Sequence, residues 1–89
     1  MPPAGGLIIL EPLDGETVIE NAIVVRGLAP AGATITRHVP FWFDEHTVAD
    51  SAGRWSFALA LHEGENSFTF RIDDDLATQR TLTVFYRAS

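Results

Sequence analysis

Arg54-Trp55-Ser56-Phe57-Ala58-Leu59-Ala60-Leu61 is the stretch whose reading decides the fold. Trp55, Phe57, Leu59 and Leu61 alternate with Ser56, Ala58 and Ala60. That period of two sends every second side chain to one face of a strand, whereas a helix needs a period near 3.6. Glu63-Gly64-Glu65-Asn66 then supplies a turn, and Phe68, Phe70 and Ile72 alternate with Thr69 and Arg71 on the way back. Two alternating runs around a glycine-containing turn make a hairpin with one oily face.

The same rhythm extends to both ends. Leu7 to Leu10 is a short strand, closed by Glu11-Pro12 and the Asp14-Gly15 turn. Ala22 to Leu28 is next, with Ile23 and Val25 on one face and Arg26 on the other. Pro30-Ala31-Gly32 turns the chain into a third strand, Ala33 to Val39, which Pro40 interrupts because proline has no N–H for a ladder. His46 to Ala49 is a short strand ahead of the Asp50-Ser51-Ala52-Gly53 turn, and Arg80 to Arg87 is the last, with Leu82, Val84 and Tyr86 on one face. No window carries a helical stripe. The expectation is an all-β, immunoglobulin-like antiparallel β-sandwich of about seven strands in two sheets. Its core should hold Ile23, Val25, Ile35, Trp55, Phe57, Leu59, Phe68, Phe70, Leu82 and Val84.

Eighty-nine residues fit one domain. An apolar share of 46% against 20% charged is that of a folding chain. Met1 to Gly6 reads as a linker rather than a signal peptide, having neither a basic start nor a long apolar run, and residues 7–89 read as the domain. No stretch approaches the roughly 20 apolar residues of a membrane-spanning helix, so no membrane insertion is expected. Twelve acidic residues face six scattered arginines and no lysine, a net charge of -6, which repels phosphate backbones and argues against nucleic acid. The absence of cysteine removes disulfides, thiol catalysis and zinc–thiolate sites. The absence of lysine removes an intramolecular Lys–Asn isopeptide bond.

Four motifs in order resemble a known family. Glu11-Pro12-Leu13-Asp14-Gly15, then Val25-Arg26-Gly27-Leu28-Ala29-Pro30-Ala31-Gly32-Ala33, then Gly53-Arg54-Trp55, then Leu61-His62-Glu63-Gly64-Glu65-Asn66 are similar to the turn and strand signatures of bacterial immunoglobulin-like modules. The closest subgroup is the one similar to domain B of glucodextranase, and the likeness spans roughly residues 7–87. It implies a non-catalytic accessory module of a larger secreted or cell-surface protein, spacing or orienting neighbouring domains, with no cofactor. The chain departs from the pattern twice. Arg37 to His46 replaces a shorter hairpin, and Asp73-Asp74-Asp75-Leu76-Ala77-Thr78 lacks the usual Gly-Asn pair.

The first departure holds the candidate site, Phe41-Trp42-Phe43, flanked by His38 and His46. Were the three aromatics in a strand, alternation would bury either Trp42 or its two neighbours. Two roles are open. The segment folds back to cap an open end of the sandwich, the commoner use of an apolar insertion, or it contacts a glycan or protein ligand. His38, Asp44, Glu45 and His46 match no metal-binding spacing. Asp73, Asp74 and Asp75 are weak calcium candidates, and without the glycine and closing glutamate of a calcium loop they read as an acidic turn. No catalytic residue is assigned: Ser51, Ser56, Ser67 and Ser89 lack a nucleophile-elbow context, and a small sandwich rarely forms the cleft that paired carboxylates need.

Overall fold

The computed structural model describes residues 6–88. Within them are eight strands and no helix: β1 (Ile8–Glu11), β2 (Glu16–Val18), β3 (Ala22–Leu28), β4 (Thr34–His38), β5 (Glu45–Val48), β6 (Arg54–Ala60), β7 (Gly64–Ile72) and β8 (Asp75–Tyr86). They form two sheets, one ordered β1-β3-β6 and the other β2-β8-β7-β4-β5, packed as a β-sandwich. The expected linker lies outside the described residues except for Gly6, which is buried against Pro30.

Strand β2 is the element that the alternation pattern did not announce. Its three residues pair in parallel with β8, Glu16 with Val84 and Val18 with Tyr86, so the larger sheet is not wholly antiparallel. Three residues are too few to show a period. The Pro12 to Gly15 segment carries the chain from one sheet to the other. Asp14 anchors it, accepting the Thr83 N–H at 2.8 Å, while the Gly15 N–H donates to the Thr83 carbonyl at 2.7 Å. The last strand begins earlier than expected as well. Asp73 and Asp74 alone form the β7–β8 turn, with Ile72 opposite Asp75. A bulge beyond it is closed by Thr78, whose hydroxyl accepts the Ile72 N–H at 2.8 Å.

The core is the set that the alternation selected. Val25, Ile35, Trp55, Phe57, Leu59, Phe68, Phe70, Leu82 and Val84 are buried and Ile23 is half-buried, with Leu7, Ala29, Ala49 and Leu61 added. At its centre Phe70 of the larger sheet meets Trp55 and Phe57 of the smaller one, with centroids 5.5 and 5.6 Å away. Each such tilted aromatic pair contributes about 0.5–1.5 kcal/mol beyond the area it buries. The Trp55 Nε1 is buried with no hydrogen-bond partner among the described residues, so packing rather than polar contact holds this indole.

Two residues of the motifs, Asn66 on β7 and Gly27 on β3, have clear physical work. Asn66 is buried beside the β6–β7 connection, where its amide donates to the carbonyls of His62 and Gly64 and its oxygen accepts the His62 N–H. Gly27 lies opposite Trp55 in the β3–β6 ladder, and a Cβ there would occupy the space of the indole and of the Ile8 carbonyl. Backbone and indole cannot both yield. Gly27→Ala should therefore lower the unfolding free energy by about 1–3 kcal/mol, the range for an overpacked core. The measurement is a fall in the urea midpoint with an unchanged slope.

Candidate functional site

The aromatic segment sits in the connection between β4 and β5, and it is a turn rather than a strand. The Trp42 N–H donates to the Val39 carbonyl at 3.2 Å, closing Val39-Pro40-Phe41-Trp42. Pro40 occupies the second position, where its fixed φ is suited, and Phe41 the third with φ of +63°. A turn of this kind normally puts glycine there, because a Cβ is crowded at positive φ. A bulky aromatic in that conformation carries strain on the order of 1 kcal/mol.

Asp44 closes the other side of the loop. Its Oδ1 accepts the Val39 N–H at 3.1 Å and lies 3.2 Å from His38 Nδ1, and its Oδ2 lies 3.5 Å from an Arg71 guanidinium nitrogen on β7. One rung inward, Arg37 donates to Glu45 at 2.6 Å and lies over the Phe68 ring, 5.2 Å from its centroid. The base of the hairpin is thus tied to the larger sheet by two arginines whose side chains are mostly buried. The tip beyond it is left to solvent.

Phe41 is exposed in full, Trp42 to 75% and Phe43 to 79%. The segment does not fold back over the core, which removes the capping role, and alternation does not govern it because its residues are in no ladder. Trp42 and Phe43 meet edge to face, with centroids 5.9 Å apart and planes inclined at 68°. They form an angular knob, not a flat two-ring platform. His38 joins the Asp44 cluster, whereas His46, on β5 opposite Thr36 of β4, is exposed and its side chain makes no hydrogen bond or ion pair among the described residues. The positive φ at Phe41 was not legible beforehand. Pro40 marked the end of the strand, but nothing local says that a phenylalanine takes the glycine position of a turn.

Among the described residues, no group of three or more His, Asp or Glu side chains is placed to hold a metal. Asp73 has φ of +50° in its tight turn, Asp74 lies 3.9 Å from Arg71, and Asp75 accepts the Ala77 N–H at 2.9 Å. The three residues share no common partner among the described residues. Comparison with family models, with curated proteins and with solved structures finds no match to this chain.

Three outcomes test this geometry. Trp42→Ala should leave the unfolding free energy within about 0.5 kcal/mol of the parent, as for a surface change. Phe41→Gly should stabilise by about 0.5–1 kcal/mol through relief of the positive φ, where glycine elsewhere in the hairpin destabilises. Urea titrations of both variants check these values, and a large loss for Trp42→Ala would return the tip to the core. The third outcome concerns pH. The Val39 N–H holds the Asp44 carboxyl below the ordinary aspartate value of 3.8, aided by His38 and Arg71, and the Arg54 and Ala52 N–H groups do the same for Asp50. As pH falls through 3.8 the unfolded chain takes up these protons before the folded one does. The stability they supply is present above that value and is lost as pH drops through their folded-state values. Asp44→Asn should therefore flatten the acid limb of a thermal-melt profile below about pH 4 and leave the neutral limb parallel.

Proposed function

We propose that this chain is a bacterial immunoglobulin-like accessory module of a larger secreted or cell-surface protein. It performs no reaction itself, and its working surface is the aromatic knob at the tip of the β4–β5 hairpin. The observation that carries the reading is the exposure of Phe41, Trp42 and Phe43 together on a turn held at its base. Three neighbouring aromatics in water are an unfavourable arrangement for a free domain and a strong anchor once covered. Strain at Phe41 points the same way, since glycine would form this turn at less conformational cost.

The family reading draws support from strand order as well as motifs. β1-β3-β6 corresponds to strands A, B and E of the immunoglobulin arrangement, and β4, β7 and β8 to C, F and G, with β5 as an added edge strand. In such a module the sandwich is the rigid part and the connections carry contacts. The knob docks on a neighbouring domain or on a protein or glycan partner, and the rest of the fold sets its direction.

The two tryptophans provide the test, because Trp42 is exposed and Trp55 is 3% exposed. Iodide should quench Trp42 emission in the isolated module and spare Trp55. In the full-length parent, or with its partner, Trp42 should become shielded while Trp55 is unchanged. Trp42 emission that stays equally quenchable in the parent and across a panel of glycans would sink the reading.

A further inference from the structure

Besides the knob, the surface carries a concave apolar feature. A groove of about 580 Å³ lies where β1 leaves the smaller sheet for β2, with Pro12, Val18, Ile23 and Leu59 in its lining. It extends along the outer face of β3 and β6, where the exposed residues Ala22 and Val24 stand opposite Ala60 and Ala58. Three glutamates also line it. Glu11 is paired with Arg26 at 3.3 Å and Glu16 accepts the Leu13 N–H at 3.2 Å, which leaves Glu20. The groove therefore offers apolar contact with one of its three carboxylates paired to a cation.

We infer that the knob of one copy inserts into this groove on a second copy. This rests on the proposed role of the aromatic tip and names its partner. Size permits the match, because an open groove of about 580 Å³ has room for two aromatic rings. Charge permits it: Val39 to Phe43 carries no ionisable group, so insertion brings no new carboxylate against Glu20. Area sets its strength. Aromatic side chains bury about 150–250 Å² each, so two inserted rings with the walls that receive them bury roughly 600–1,000 Å² in total, the range of weak, transient contacts.

Placement sets its form. The groove adjoins β2 at one edge of the five-stranded sheet, and the knob joins β4 and β5 at the other. Four strand spacings, about 19 Å, separate the two edges, so no copy fills its own groove. A contact between unlike surfaces on opposite edges leaves a free knob and a free groove at the ends. Association is head-to-tail and open rather than a closed two-fold dimer.

Sedimentation velocity of the isolated chain should show a weight-average mass that climbs past the dimer as concentration rises to about 1 mM, the regime of weak contacts. Iodide quenching of Trp42 should fall over the same range, with Trp55 unaffected. Phe41→Ala with Trp42→Ala removes the knob, and Ala58→Glu fills and charges the groove, so each variant should stay monomeric while melting cooperatively. Ala60→Glu on the same face serves if Ala58→Glu does not fold. An equimolar mixture of knob and groove variants should regain association but stop at one heterodimer, because each member has only one working surface. A wild-type chain that remains monomeric throughout, oligomers that survive both variants, or a mixture that stays monomeric would each overturn the inference. If such a monomer nonetheless shields Trp42 inside the parent, self-pairing has failed and the accessory-module reading stands. If Trp42 stays open in both settings, the two fail together.

Discussion

The contact between Phe70 and the pair Trp55 and Phe57 is the constraint on which the two sheets depend. It joins the middle of the larger sheet to the edge strand of the smaller one, and no disulfide assists it. The indole can lie at that depth only because Gly27 presents no side chain opposite it. A small domain buries a modest share of its chain, so a few large aromatic contacts carry an outsized part of its stability. The sandwich is thus built around one indole and the glycine that makes room for it.

That rigid centre is also what allows an unfavourable feature at the periphery. The knob adds little buried apolar area and includes a phenylalanine at positive φ, so the remaining structure must hold it in place. Asp44 does this locally, tying Val39, His38 and Arg71 into one cluster at the base of the hairpin. Arg37, bonded to Glu45 and laid over Phe68, fixes the adjoining rung. Rigid support beneath exposed rings lowers the entropy lost when those rings are covered, which is how a short loop becomes an anchor.

The acidic surface fits the same picture. A net charge of -6 discourages indiscriminate association, while the uncharged stretch from Val39 to Phe43 is spared that repulsion.

Much of the fold was legible in the chain alone, because alternation is a local property. The β6 and β7 segments declare their faces residue by residue, and nine of the ten side chains expected inside are buried, with Ile23 half-buried. The motif Leu61 to Asn66 was legible as a hairpin even before the reason for Asn66, its bonds to His62 and Gly64, was visible. The candidate segment was legible as an oddity but not as a surface. What only the tertiary structure decided were the partnerships between distant residues: β2 beside β8, Asp14 on Thr83, and Arg71 beneath Asp44. Sequence periodicity specifies which way a strand faces, but exposure of the three aromatics depends on whether another part of the chain reaches them. That is a question of three-dimensional packing, which no local pattern encodes.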